Sequence, residues 1–149
     1  MKEKAVVIDI DGIILDSSFI LKEIHEKGLK GEEKWEYYYS NCNSDKVCVF
    51  DSAWELLQTF YDAEIQVLLS TARNERNRDA TNQKLWFQHG ICYDGLYMRK
   101  EDDYRPSAEV KREHLQEIMK EYDVIMFVDD DLSNCEMAKE LGILSLRKV

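Results

Sequence analysis

The chain has 149 residues, a length that suits a single domain able to bury most of its apolar surface. With 44% hydrophobic residues and mixed charge, its composition is that of a globular protein and excludes a largely disordered chain. The net charge of −10 argues against a broad surface for polyanions, although it permits a local basic pocket.

Apolar runs rich in β-branched residues alternate along the chain with patterns of helical period. In chain order they predict a strand over 5–10, a helix over 52–62, a strand over 65–70, a helix over 79–89, a strand over 95–98, a helix over 108–122, a strand over 125–128, a helix over 132–141 and a short strand over 144–146. Gly90 and Gly142 lie where helix-ending glycines are expected. The alternation predicts an α/β fold: one three-layer, Rossmann-like domain over 1–149, whose parallel sheet has helices on both faces.

The segment 18–50 interrupts this alternation and is expected to form a small insert after the first strand, with helices over 19–31 and 32–40. It is too short for a full lid domain, so we expect an open site that admits a large substrate. The insert is rich in aromatic residues, namely Trp35, Tyr37, Tyr38 and Tyr39. Two interpretations are open: these rings pack the insert onto the sheet, or some of them form a lip that stacks on a base or sugar.

The four cysteines are widely spaced and form no Cys-x-x-Cys pair, which argues against a zinc site and against a disulfide framework. They are Cys42, Cys48, Cys92 and Cys135. Free thiols favour a reducing compartment, so a cytoplasmic location is expected. No apolar run approaches the roughly 20 residues of a membrane helix, and no signal peptide is expected.

The most informative stretch follows the first predicted strand, where Asp9 and Asp11 are separated by one residue and Gly12 then turns the chain. Isolated charges are costly to bury, so these carboxylates are expected at the strand tip. Side chains alternate along a strand, which places Asp9 and Asp11 on the same side.

Other strand tips also carry polar groups. Thr71 and Arg73 follow the second strand, and Asp129 and Asp130 end a later one. Ligands bind beyond the carboxyl ends of the strands in an open parallel sheet, so Thr71, Asp129 and Asp130 are expected to converge with the first pair of carboxylates.

The residue types indicate phosphate chemistry. Carboxylate ligands without a His or Cys cluster favour Mg²⁺ over zinc. A hydroxyl, a lysine and an arginine, here Thr71, Lys111 and Arg73, are groups that bind phosphate. A nucleophilic carboxylate beside one that shuttles a proton is a known route for covalent phosphoryl transfer.

These residues, in their order along the chain, resemble the motifs of the haloacid dehalogenase-like phosphohydrolases. The resemblance covers nearly all of the chain. The first motif of that family is Asp-x-Asp-Gly-Thr, which the residues from Asp9 to Gly12 match. Thr71 resembles the second-motif hydroxyl, and Lys111 resembles the third-motif lysine. Asp129-Asp130 resembles the fourth-motif acid pair.

This resemblance implies a role for each residue. Asp9 would be the nucleophile that forms an aspartyl-phosphate, and Asp11 would be the acid to the leaving oxygen and then the base for the attacking water. Thr71 and Lys111 would hold the phosphoryl oxygens. The implied Mg²⁺ ligands are Asp9, the backbone carbonyl of Asp11, and Asp129 or Asp130.

The second half also resembles the phosphatase domain of polynucleotide kinase/3′-phosphatases, which remove a 3′-terminal phosphate from nucleic acid. The matching stretches are Ser70-Thr-Ala-Arg73-Asn-Glu, Trp86-Phe-Gln-His-Gly90-Ile, Leu96-Tyr-Met-Arg99 and Asp103-Tyr-Arg105-Pro-Ser-Ala-Glu-Val-Lys111-Arg-Glu. The likeness implies that Arg73 contacts the substrate phosphate or its flanking nucleotide. It also implies that Arg99 and Arg105 border the substrate groove.

The sequence departs from these patterns at three points. No Gly-x-x-x-x-Gly-Lys-[Ser/Thr] phosphate loop is present, so a kinase half is missing. Ser107 replaces an acidic residue that accompanies the lysine, and Glu109 is a candidate substitute. Ile13 stands where the first motif has threonine.

The expected function is a Mg²⁺-dependent phosphomonoesterase whose leading substrate is a DNA or RNA 3′ end. A phosphatase for nucleotides or other small esters is an alternative. A catalytically silent phosphate-binding module is a third hypothesis, which the intact Asp9, Asp11, Thr71 and Lys111 disfavour. No membrane partner is expected, and the sequence leaves the oligomeric state open.

Overall fold

A computed structural model describes residues 1–149, and its centre is a five-stranded parallel sheet. The strands are β1 (Glu3–Ile8), β4 (Gln66–Asn74), β5 (Gly95–Arg99), β6 (Tyr122–Asp129) and β7 (Ser145–Arg147). Their order is β5-β4-β1-β6-β7, and every neighbouring pair is parallel. The predicted α/β fold with a parallel sheet is confirmed.

Helices cover both faces of this sheet. They are α1 (Ser18–Lys27), α2 (Gly31–Asn41), α3 (Asp51–Asp62), α4 (Arg78–Asn82), α5 (Ser107–Glu121) and α6 (Leu132–Glu140). The predicted helix over 79–89 is composite: α4 follows a 3₁₀ turn at Glu75–Asn77 and continues as a π-helical segment, Gln83–Gln88. None of the helices has the length and apolarity needed to cross a bilayer.

The side chains of β1 point alternately to the two faces of the sheet, which explains why the core has two halves. Val6 and Ile8 pack on one face with the insert helices and α3, whereas Ala5 and Val7 pack on the other with α5 and α6. Because both faces are covered, the strand is a continuous apolar run rather than an alternating one.

The insert is bounded by a two-stranded antiparallel ribbon, β2 (Leu15–Asp16) with β3 (Cys48–Val49). The sequence did not predict this ribbon, since strands of two residues are too short to show an alternating pattern. The ribbon closes the loop 17–47 at its base, so α1 and α2 lie beside the carboxyl edge of the sheet as one unit.

Several local predictions are confirmed. Gly90 and Gly142 have φ of 67° and 81°, the left-handed conformation that ends helices. The structure adds a helix cap to these features: Asp131 caps α6, since its side chain accepts from the Asn134 N–H at 3.1 Å. All four cysteines are free thiols.

Candidate active site

The groups at the carboxyl edge of the sheet converge on Lys111. Its Nζ lies 2.9 Å from Asp9 Oδ1 and 2.6 Å from Asp129 Oδ2, and all three side chains are buried. The Asp9 N–H donates to the Val128 carbonyl at 2.9 Å, which holds the end of β1 beside the end of β6. Lys111 comes from the second turn of α5, so three elements build this cluster.

Burial and mutual charge set the ionisation of this cluster. Burial opposes the charge of Lys111, but Asp9 and Asp129 outweigh it and raise the pKa of the lysine. Burial raises the pKa of Asp9, the Asp129 and Asp11 carboxylates add to the rise, and Lys111 opposes it. The cluster therefore has more carboxylate charge than one lysine balances.

Asp129 is fixed by partners that the sequence analysis missed. Asn134 Nδ2 donates to Asp129 Oδ2 at 3.1 Å, and the Asp131 N–H donates to Asp129 Oδ1 at 3.0 Å. Ser107 Oγ also accepts from Asn134 Nδ2, at 3.3 Å. The available signal was the asparagine in the first turn of the helix that follows the acid pair.

The carboxylates form a candidate metal centre. Oxygens of Asp9, Asp129 and Asp130 all lie within 4.8 Å of one another. Burial and the neighbouring Asp129 raise the pKa of Asp130. An all-oxygen set with excess negative charge fits a hard divalent cation such as Mg²⁺. The Asp11 side chain is not part of this set.

Gly12 makes room for this centre. Its φ is 89°, and a Cβ built there would lie 2.1 Å from Asp130 Oδ2. A side chain at this position would displace the Asp130 carboxylate. The glycine of the first motif is thus required both by backbone conformation and by close approach.

Arg73 corrects an expectation from the sequence. The side chain is only 1% exposed, and it binds Asp11 bidentately, with Nε–Oδ2 at 2.8 Å and Nη2–Oδ1 at 2.7 Å. Its remaining N–H groups donate to Asn43 Oδ1, Thr81 Oγ1 and the Cys42 carbonyl. All five donors of the guanidinium have protein acceptors, so none is directed to a substrate.

Thr71 is a buried residue of strand β4. Strand β4 extends beyond the predicted 65–70 to Asn74, so Thr71 lies within the strand and is buried. Its hydroxyl oxygen accepts from the Arg73 N–H at 3.1 Å. Its own hydrogen has no acceptor in the protein and is free for a phosphoryl oxygen.

The other two arginines differ from each other. Arg99 donates to the carbonyls of Ala72, Asp103 and Arg105, has no carboxylate partner, and keeps Nη2 free. Arg105 is held in ion pairs with Asp103 at 2.7 Å and Glu113 at 2.6 Å. The three arginines therefore differ in their partners: Arg73 binds Asp11, Arg105 is held in ion pairs, and Arg99 has only carbonyl partners.

The departures from the family pattern also have structural outcomes. Ile13 is buried and packs in the core cluster on the insert face. Glu109 is exposed on α5, and the acids that contact Lys111 are Asp9 and Asp129. Ser107 contacts Asn134 rather than Lys111.

Comparison with protein families matches residues 3–147 to the phosphatase domain of polynucleotide kinase PNKP. The chain belongs to this family. No curated protein matches its sequence with significance.

Solved structures place this PNKP-type phosphatase domain among known folds. It shares 25% identity with a chain of the Pnkp1/Rnl/Hen1 complex at a TM-score of 0.76, covering 99% of this chain and 46% of that one. The class C acid phosphatase from Bacillus anthracis is 20% identical (TM-score 0.68, 90% of this chain, 54% of that one). A haloacid dehalogenase-like family protein from Streptococcus pneumoniae, SP0104, is 17% identical (TM-score 0.69, 97% and 84%). The domain spans less than half of the Pnkp1 chain.

Proposed function

We propose that this phosphatase domain is a Mg²⁺-dependent phosphomonoesterase that removes the terminal 3′-phosphate from a nucleic acid through an aspartyl-phosphate on Asp9. The observation that carries the proposal is the separate partnering of two adjacent carboxylates. Asp9 lies 2.9 Å from Lys111 inside the acidic cluster, whereas Arg73 holds Asp11 apart from it. Two carboxylates in such different environments suit two different roles.

In the first step, an Asp9 carboxylate oxygen attacks phosphorus and the bond from phosphorus to the ester oxygen breaks. Asp11, in its protonated form, gives its proton to that leaving oxygen. Each oxygen of Asp11 accepts one hydrogen bond from Arg73 and retains a lone-pair position for this proton. Lys111 and the free Thr71 hydroxyl would hold phosphoryl oxygens as charge shifts in the transition state.

In the second step, water attacks the phosphorus of the aspartyl-phosphate and gives a proton to Asp11. Inorganic phosphate leaves, and both Asp9 and Asp11 return to their starting states. The residues that would hold Mg²⁺ are Asp9, Asp129, Asp130 and the Asp11 carbonyl. When bound, the cation supplies positive charge that offsets repulsion between these carboxylates and a phosphate.

The family match and the likeness to Pnkp1 support a nucleic-acid end as substrate. One of the similar structures is described as an RNA repair complex of Pnkp1, Rnl and Hen1, so an RNA end is tested beside a DNA end. A cytoplasmic location stays a prediction, which the exposed free thiols Cys48 and Cys92 support.

The test is phosphate release from matched oligonucleotides that carry a 3′- or a 5′-phosphate, as DNA and as RNA, and from the corresponding mononucleotides. We expect the 3′-phosphorylated oligonucleotides to have the highest kcat/KM and all activity to disappear on chelation of divalent cations. Equal or higher kcat/KM on mononucleotides would favour the small-ester phosphatase. Full activity after exhaustive chelation would contradict Mg²⁺ dependence.

A further inference from the structure

The backbone carbonyl of Ala72 connects two elements at the rim of the active site. The Tyr39 hydroxyl of α2 donates to it at 3.3 Å, and Arg99 Nε at the end of β5 donates to it at 3.0 Å. Ala72 lies between Thr71 and Arg73, so both elements meet directly beside the groups assigned to phosphate and to Asp11. A substrate chain that leaves the site on this side passes them.

An exposed tryptophan stands on the α2 side of this rim. Trp35 is 50% exposed and stacks on Tyr39, with ring centroids 6.2 Å apart and an interplanar angle of 27°. The buried Tyr38 supports it edge-on, with centroids also 6.2 Å apart, and donates to or accepts from Ser17. Rings held by other rings lose little conformational entropy on binding, which suits a stacking platform.

A second exposed ring stands on the Arg99 side. Arg99 Nη1 donates to the carbonyls of Asp103 and Arg105, the two residues that flank Tyr104. Tyr104 itself is 87% exposed. The structure fixes its backbone beside Arg99, while its ring has no partner in the protein.

The charges around these rings indicate what they bind. Arg99 has no carboxylate partner and a free Nη2, so it is a suitable contact for one phosphate. Helix α2 also carries Glu32, Glu33 and Glu36, which disfavour phosphates over the helix. Lys34 Nζ lies 4.7 Å from the Trp35 ring centroid. This exposed cation–π contact is weaker than the stacking of a base on the same ring.

We propose that Trp35, Tyr39 and Tyr104, here called the aromatic lip, stack the nucleobases next to the terminal phosphate of a single-stranded 3′ end. Arg99 then contacts the phosphate that links these nucleotides. The proposal rests on the proposed function and gives its substrate a form: an unpaired strand end, recognised by base stacking rather than by a long track of phosphates. The net charge of −10 fits such a short footprint.

The experiment compares Trp35→Ala, Trp35→Phe and Tyr104→Ala with the parent enzyme. Each is assayed on a 3′-phosphorylated single-stranded oligonucleotide, on the same strand with abasic sites at its last two nucleotides, and on a small aryl phosphate. Tyr61→Ala is the control, because Tyr61 is 72% exposed near the end of α3, at the amino edge of the sheet. All four substitutions replace exposed rings, so each variant is expected to fold.

We expect Trp35→Ala and Tyr104→Ala each to lower kcat/KM on the normal oligonucleotide by about 5- to 20-fold, since stacking of one base has that magnitude. The loss should be much smaller on the aryl phosphate and on the abasic strand. Trp35→Phe should retain most of the parental kcat/KM on the normal oligonucleotide. Tyr61→Ala should leave all three substrates unchanged.

The outcomes separate this proposal from the proposed function. Release of 3′-phosphate that is insensitive to both alanine substitutions, or equally impaired on normal and abasic strands, would overturn the aromatic lip alone. The same 3′-phosphorylated strand is also assayed as a blunt duplex, and an equal kcat/KM on both forms would likewise overturn the lip, since paired bases are not free to stack on it. A parent enzyme inactive on every oligonucleotide would overturn both.

Discussion

Arg73 binds both carboxylate oxygens of Asp11 from inside the protein, at 2.8 and 2.7 Å. The arginine thereby fixes the direction of the group assigned to proton transfer. Burial opposes the charge of Arg73, but the neighbouring Asp11 more than compensates and raises the pKa of the guanidinium. Arg73 therefore stays charged, and its two bonds position the Asp11 carboxyl rather than a substrate.

Replacing Arg73 should therefore affect proton transfer more than phosphate binding. Arg73→Lys keeps the charge but cannot bind a carboxylate bidentately, so we expect a loss of kcat with little change in KM. The loss should be larger for esters with poor leaving groups than for aryl phosphates with good ones. Arg73→Ala should also lower the free energy of unfolding by about 3 kcal/mol, as expected when one partner of a buried pair is removed.

The Asp11→Asn variant provides the control for this assignment. If Arg73 acts through Asp11, the double variant Asp11→Asn, Arg73→Lys should be no slower than Asp11→Asn alone. Additive losses, or a loss in KM equal for all leaving groups, would show that Arg73 acts on the substrate directly.

Asp9→Asn should abolish turnover while preserving the fold. The amide is nearly isosteric but cannot attack phosphorus, so kcat should fall by at least about 1000-fold. The melting temperature should not fall, because the substitution removes one charge from a crowded carboxylate cluster. Asp123→Asn, a substitution of an exposed aspartate in β6, is the matched control and should retain parental kcat. Turnover by the Asp9 variant within tenfold of the parent would refute the nucleophile assignment.

Asp130 should govern the affinity for Mg²⁺ without contributing to the apo fold. It is exposed and pairs with no cation, whereas Asp129 is buried against Lys111. We expect Asp130→Asn to raise the Mg²⁺ concentration for half-maximal activity by about tenfold or more. The rise in melting temperature on adding Mg²⁺ to the parent should shrink in this variant. An unchanged Mg²⁺ titration by both readouts would remove Asp130 from the ligand set.

Gly12→Ala should reduce both stability and activity, and Gly28→Ala separates the two effects. Both glycines have positive φ, 89° and 67°, so each alanine should cost about 1–2 kcal/mol of folding free energy. A Cβ at Gly28 meets open space, but one at Gly12 displaces Asp130. We therefore expect similar melting temperatures for the two variants and a loss of activity in Gly12→Ala alone. Equal activities would argue against the close approach of Asp130.

His114 should make the fold sensitive to acid. It lies between Ser70 Oγ, 2.8 Å from Nδ1, and the Met98 carbonyl, 3.1 Å from Nε2. Burial lowers its pKa to about 4 from the ordinary 6.5, with the positive charge of Lys111 also contributing. Because the folded pKa is depressed, the unfolded chain binds the proton first, and stability falls as pH falls from about 6.5 towards 4. The contribution is at most about 3 kcal/mol.

His114→Gln tests this contribution, because glutamine retains hydrogen-bonding groups but does not titrate. The difference in free energy of unfolding between parent and variant should shrink by up to about 3 kcal/mol from pH 7 to pH 4, measured by urea denaturation. His25→Gln, which replaces an exposed histidine of α1, is the matched substitution control. A constant difference between parent and His114→Gln across this range would contradict the prediction.

The sequence by itself determined the parallel α/β fold and the convergence of most of the candidate catalytic residues. Continuous apolar strands such as Val6–Ile8 require cover on both faces, and parallel strands bring their carboxyl ends to one edge. Asp9, Lys111 and Asp129 meet there because each follows a strand or lies near the start of the helix that leads to one. The periodic spacing of apolar residues and the positions of turn residues are local patterns, and they are sufficient to predict this arrangement.

Only the tertiary structure decided what Arg73 does. Its place after a strand is compatible with binding a phosphate or a carboxylate, and sequence order does not distinguish the two. The choice depends on Asn43 and Cys42, which the insert brings to the guanidinium from thirty residues away along the chain. A buried arginine requires an acceptor for every N–H, and the positions of those acceptors depend on how the insert packs against β4, which no local pattern in the sequence encodes.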